Sequence, residues 1–229
     1  KNLSARKGHD VMPSPEKFRK TLDDFHVEQE IIDEMYRGFD ILTSKTNKKI
    51  KSAFFTQALK VMNEKLPPEK VREIFEANAC CKSGAREKNS REIAKTYAGL
   101  DIADRLKLIS MRPYLNMGSA ELDEDGFLLV HAVSYHPGDK YECVCPTVSK
   151  IKRDCAIPRE YCCCCGGHFK YHYEIMLGVK LKPVEIVSSP HDTDGEKPCA
   201  FRYYIQDAQL PAGNPGNKNF CIGSPIVLS

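Results

Sequence analysis

Apolar residues recur at three- and four-residue intervals from Phe18 to Ile109, the period of helices with one buried face. Ser14-Pro15-Glu16 places a capping residue before a proline at the first helical position, and Phe18, Leu22 and Phe25 continue at helical spacing. Ile31, Ile32, Met35, Phe39 and Leu42 extend the pattern, and Phe54, Phe55, Ala58, Leu59, Val61 and Met62 repeat it. Pro67-Pro68-Glu69 opens another helix through Val71, Ile74 and Phe75. Two more are predicted around Glu87 to Tyr97 and Ile102 to Ile109, before Arg112-Pro113 ends the periodicity. The simplest role for these apolar positions is core packing.

The period then changes. Glu124-Asp125-Gly126 predicts a turn, Phe127 to Tyr135 a strand, Pro137-Gly138-Asp139 a second turn, and Lys140 to Thr147 the returning partner of a hairpin. A helix is predicted from Pro158-Arg159-Glu160 to Leu177, closed by Gly178. Val179 to Ser189 alternates as a strand, His191 to Lys197 is a polar turn, and Cys199 to Gln206 reads as a last strand. Beyond Pro211 the Gly, Asn and Pro content predicts an irregular tail. The expected fold is α+β: a helical region over 1–115 and an α+β region over 116–229, with an antiparallel sheet and one Cys-rich helix, packed as one compact unit.

The 229 residues carry 34 Lys and Arg against 31 Asp and Glu, a net charge of +3 that argues against a strongly electrostatic nucleic-acid binder. The longest apolar runs are strand-sized, far short of the roughly 18 residues a membrane span requires. No nucleic acid and no membrane are expected as partners, and a homodimer is left open. Phosphate loops, dinucleotide fingerprints and His-Glu-x-x-His are absent from the sequence, which removes kinase, dehydrogenase and zincin readings. Asp123 and Asp125 fall in a turn too short for a calcium loop and are expected to be solvated, as are Lys48, Lys49 and Lys51 on a helix face.

Eleven cysteines change the picture. Cys80 and Cys81 are adjacent, Cys143 and Cys145 are one residue apart, and Cys162 to Cys165 run unbroken, with Cys155, Cys199 and Cys221 single. An odd total cannot pair completely, and a run of four suits a disulfide framework poorly. A reducing cytoplasm is the expected compartment. The amino terminus, Lys1 to Gly8, has no apolar h-region, although a leader or tag could precede it.

On a helix Cys164 and His168 stack at i, i+4, Cys165 and His168 at i, i+3, and His168 and His172 at i, i+4, a stripe of thiolate and imidazole ligands. The turn from His191 to Cys199 contains Gly195 and can fold an imidazole and a thiol towards one point. Cys164, His168, His191 and Cys199 are therefore the candidate ligands for zinc or a similar transition metal. Cys143 and Cys145 offer a further thiol pair on one strand face. Gly166-Gly167 inside a helix costs about 1 kcal/mol per residue relative to Ala, which points to a close approach by backbone or ligand.

The last third resembles the 4-vinyl reductase-type domain, a small-molecule-binding module. The helix ends Glu174-Ile175-Met176-Leu177-Gly178, the strand Lys182 to Ser189 follows, and His191-x-x-x-Gly195-Glu196-x-x-Cys199-x-Phe201 stands where that family has Cys-x-x-x-Gly-Asp-x-x-Cys-x-Phe. His191 replaces the first cysteine and Glu196 the aspartate. The region is also similar to L-2-amino-thiazoline-4-carboxylic acid hydrolase. The likeness covers roughly residues 120–206 and implies helices on an antiparallel sheet, a pocket between the layers, and ligand- or metal-binding thiols.

Three functions stay open: a cytosolic small-molecule-binding or sensor protein with a Cys/His metal or thiol site, a cysteine- or metal-dependent hydrolase of a small cyclic amide or thiazoline, and a thiol relay using Cys162 and Cys165. Hydrolysis would need a depressed thiol pKa, for example at Cys165 beside His168 near Arg159 or Lys170. Whether the chain is an enzyme is left undecided at this point.

Overall fold

The computed structural model describes residues 14–206 apart from 40, 44, 80, 81, 112–117, 133–135, 137, 144, 146, 150 and 152–155. The tail, the amino terminus, the Arg112-Pro113 stop, the end of the first expected strand, and Cys80, Cys81, Cys155 and Cys221 lie outside the described residues. Six helices come first: α1 (Pro15–Asp24), α2 (Gln29–Tyr36), α3 (Lys48–Lys65), α4 (Pro68–Ala77), α5 (Ala85–Thr96) and α6 (Ile102–Ser110). Strands β1 (Ser119–Leu122) and β2 (Leu128–His131) follow, then a 3-10 turn (Arg159–Cys162) leading into α7 (Cys163–Leu177), then β3 (Lys180–Ser188) and β4 (Ala200–Gln206). The fold is α+β. Among the described residues no helix is long and apolar enough to cross a membrane.

Local chemistry explains most helix ends. Pro15 and Pro68 occupy first helical positions, and the side chains of Asn47 and Asp101 accept from the backbone N–H of Lys49 and Asp104, both at 2.8 Å. Gly178, in the left-handed region at φ 69°, ends α7.

The helical half packs around aromatic rings. Phe55 is fully buried, with ring centroids 5.4 Å from Phe18, 5.1 Å from Phe54 and 5.8 Å from Tyr161. It thereby joins α1 and α3 to the turn before α7. Lys51 is buried, not solvated like Lys48 and Lys49, because it shares the inward face of α3 with Phe54, Phe55 and Ala58.

The four strands described form one antiparallel sheet in the order β1-β2-β4-β3. Strand β2 pairs with β1 through Val130↔Ala120 and with β4 through Val130↔Phe201. This corrects the expected hairpin: the returning partner of β2 is not 140–147, where Glu142 is an isolated bridge residue and 147–149 form a turn. In the turn before β2, Asp125 is solvated as expected, whereas Asp123 is largely covered. The guanidinium of Arg202 donates from Nε to Asp123 and from Nη2 to Asp125, each at 2.6 Å, and lies 4.1 Å from the Phe127 ring centroid. Although burial works against ionisation, this partner and the backbone N–H groups hold the Asp123 carboxyl below its ordinary pKa.

Helix α7 lies between the sheet and helices α4 and α5. Towards the sheet, Phe169 packs on Phe201 at 5.6 Å and the Tyr203 hydroxyl donates to the Gly166 carbonyl at 2.7 Å. Towards the helices, a Cβ on Gly167 would sit 2.4 Å from the Glu76 carbonyl oxygen and 2.9 Å from its Cα. The glycine that the sequence tolerates at some cost is therefore the contact point with the backbone of α4. Lys170 also pairs with Glu76 across this contact.

Candidate functional site

Two of the four expected metal ligands meet, and they meet at a thiol outside that set. Cys199, which is buried, and His191 both lie near enough to Cys143 to bear on its ionisation. The backbone N–H of Cys145 also donates to Cys143 Sγ, at 3.4 Å. Cys162 is the next thiol, buried, with Cys143 and Ser189 among the groups that bear on its ionisation.

The positions follow from the turn after β3. Thr193 N–H and Oγ1 both donate to the Ser189 carbonyl, at 3.2 and 2.9 Å, and Gly195 N–H donates to the Pro190 carbonyl at 2.9 Å. Asp194 at φ 48° and Gly195 at φ 82° bring the chain back on itself. The absent Cβ matters at Gly195, where it would stand 2.9 Å from Lys140 Cβ and 3.0 Å from the Tyr141 carbonyl oxygen. Tyr141 N–H donates to the Gly195 carbonyl at 2.7 Å, and Lys140 pairs with Asp194. The segment leading to Cys143 is thus laid on the turn that carries His191, and Ala132 N–H donates to the Cys199 carbonyl at 2.9 Å to fix the third member.

Cys164 and His168 face elsewhere. Cys164 belongs to the helical core, its thiol 3.9 Å from the Asn78 carbonyl. His168 is buried edge-on to His172, with ring centroids 4.7 Å apart, and His172 Nδ1 is 2.9 Å from the Ser90 hydroxyl of α5. Residues advance about 100° per position around a helix, so Cys162 and Cys164 differ by roughly 200° and look in opposite directions. The set Cys164, His168, His191 and Cys199 therefore does not fit a zinc ion. Among the described residues no group of three or more His, Cys, Asp or Glu side chains is placed to hold a metal. Cys143 and Cys145 both pack against the helical core, with Cys145 Sγ 3.4 Å from the Tyr161 hydroxyl.

The electrostatics separate the thiols. The hydrogen bond from Cys199 is the largest influence on Cys143; with the His191 imidazole and the Cys145 N–H it outweighs burial and holds Cys143 well below the ordinary thiol range. The same bond, with burial, pushes Cys199 up, so the pair's remaining proton sits on Cys199. Burial also raises Cys162, and it pushes Cys163 up to about 12. A helix amino terminus ordinarily acidifies a thiol, but for Cys162 and Cys163 desolvation wins.

A group depressed in the fold contributes stability that is fully present above its unfolded pKa and is lost as pH falls through its folded pKa. Cys143 therefore stabilises the fold most above about pH 8.5, the ordinary thiol value, and progressively less below it. The urea midpoint of the native chain should exceed that of Cys143→Ser by a margin that narrows from about pH 8.5 to pH 6. A margin that is flat or widens over this range would contradict the assignment.

A cleft lies at the other end of α7. It has a volume of about 460 Å³ and is lined by Arg91, Tyr171, Glu174, Lys180 and Gln206 among others. At 1.5 Å per residue, Glu174 is roughly 18 Å along the helix from Cys162. Comparisons with protein-family models, with curated proteins and with solved structures find no match to this chain.

Proposed function

We propose that the chain is a cytoplasmic sensor for small molecules that acts through a thiol site, with Cys143 as the reacting sulfur and Cys199 and His191 as the groups that keep it ionised. The observation that carries this reading is the laying of the 140–143 segment on the Gly195 turn, where Tyr141 N–H donates to the Gly195 carbonyl at 2.7 Å and brings Cys143 to the turn between His191 and Cys199. A thiolate is the nucleophilic form of cysteine, and the neighbouring thiols Cys162 and Cys163 are held protonated by burial. The resemblance to small-molecule-binding 4-vinyl reductase-type domains runs through His191, Gly195 and Cys199, the same turn. Hydrolysis of a cyclic amide or thiazoline at the same thiol is the second reading.

Reduced protein treated with limiting iodoacetamide at about pH 6, followed by peptide mass mapping, tests the reading. Cys143 should be alkylated on the order of 10-fold faster than Cys163 or Cys165, because an ordinary thiol is roughly 0.3% ionised there. Cys143→Ser should remove the fast phase. Uniformly slow labelling would overturn the proposal. So would protection of Cys143 by one equivalent of zinc carried through purification, which would give the site to a metal.

A further inference from the structure

We propose that the loop after α2 and the first turn of α3 form a docking surface for an anionic phospholipid membrane. Ile41 and Ile50 enter the headgroup layer, and Lys45, Lys48 and Lys49 meet the lipid phosphates and carboxylates. Five large apolar side chains are exposed among the described residues; Ile41, at 84%, is the most exposed, and Ile50, at 47%, is another. Single apolar residues are ordinary on a surface, whereas a pair standing together marks an interaction site. The course of the loop brings these two together. Gln57 Nε2 donates to the Arg37 carbonyl at 2.9 Å, and the rings of Phe39 and Phe54 lie 5.6 Å apart. Residues 50, 54 and 57 share one stripe of α3, so the loop runs back along that stripe, 37 beside 57 and 39 beside 54. From Phe39 the chain must reach Asn47 at the start of α3, and it passes Ile50 on the way. Ile41 is two residues beyond Phe39, at most about 7 Å of chain, and Ile50 is about 6 Å along the helix from Phe54.

Charge identifies the occupant. Residues 37–51 hold five basic side chains against one acid, a local charge of +4 where the whole chain carries +3. Lys45, Lys48 and Lys49 are exposed, and among the described residues none of them pairs with a carboxylate. The helix itself gains nothing from them. Helices α1, α2, α4, α5 and α6 each carry an acidic residue in the first turn, which suits the helix dipole, whereas α3 has none there and begins Lys48-Lys49. Exposed isoleucines ringed by lysines match a lipid surface: the apolar side chains bury area among the headgroups while the ammonium groups, on flexible stems, stay with the anions. Nucleic acid would take the lysines and leave the isoleucines in water. Strand-sized apolar runs exclude a membrane span and have no bearing on a helix end that rests on the surface.

The test is co-sedimentation of the full chain with vesicles of phosphatidylcholine containing about a third phosphatidylserine, beside vesicles of phosphatidylcholine alone, at about 1 mM lipid. The native chain should sediment with the anionic vesicles only, and rising salt should release it. Replacing Lys48 and Lys49 together by alanine should weaken binding about 30-fold, at about 5-fold for each lysine near an anionic surface. Ile50→Ala should weaken it on the order of 10-fold. Circular dichroism checks that these surface variants are folded. The chain has no tryptophan, so Ile41→Trp supplies a single indole at the tip of the patch. Its emission should move to the blue and be quenched by brominated lipid in the anionic vesicles alone. No sedimentation, equal binding to both kinds of vesicle, or binding untouched by loss of the lysines would overturn the proposal. So would self-association without lipid that Ile41→Ala abolishes, which would give this face to a second copy of the chain.

Discussion

Phe55→Ala should lower stability by about 3–5 kcal/mol, the usual cost of truncating a fully buried phenylalanine. Phe55 is 0% exposed and touches Phe18, Phe54, Phe75 and Tyr161, so its removal opens a void bounded by four rings on separate parts of the chain. Rings held edge to face from α1, α3, α4 and the turn before α7 cannot all close inward together. For a chain of this size the melting temperature should fall by on the order of 10 °C, read by circular dichroism or calorimetry. A loss below about 1 kcal/mol would mean that the aromatic cluster repacks freely and does not bind the helical half to the Cys-rich helix.

Gly167→Ala should destabilise by about 1–3 kcal/mol although alanine is the better helix former, whereas Gly166→Ala should be neutral or gain up to about 1 kcal/mol. The added methyl at 167 would stand 2.4 Å from a backbone oxygen of α4 and 2.8 Å from Glu76 Cγ, so α4 and α7 must separate. At 166 the nearest atom is Phe201 Cδ1 at 3.4 Å, an ordinary contact. The two variants share every propensity effect, so the difference in their denaturant midpoints isolates the helix-to-helix contact. Equal midpoints would remove that contact as the reason for the glycine.

The helices were legible because their information is local. Proline at first positions, capping side chains at Asn47 and Asp101, apolar spacing and Gly178 all act within a turn or two of the residues they organise. The sheet was less so. Lys140 to Thr147 has the composition of a strand, but β2 finds its partners at β1 and β4, and β4 is some seventy positions away, as Val130↔Phe201 shows. The same limit governs the site. The spacing of Cys164 and His168 says that they share a stripe of α7; it does not say that the stripe faces α4 and α5 while Cys162 faces the turn. His191, Gly195 and Cys199 were legible as a turn, and Cys143 as a thiol, but their meeting needs the 140–143 segment to lie on Gly195, a contact between loops with no periodic signature. Ser189 and the split of charge between Cys143 and Cys199 had no signal in the sequence at all.

Cys143, Cys162, His191 and Cys199 reach one place only because the Gly195 turn, the β2–β4 pairing and the first turn of α7 are all in position together. In a chain lacking any of these, Cys143 reverts to an ordinary thiol. Its chemistry is therefore conditional on a finished fold: a nascent, heat-damaged or truncated molecule would present Cys143 as an ordinary thiol, so its fast alkylation would count native molecules and not polypeptide.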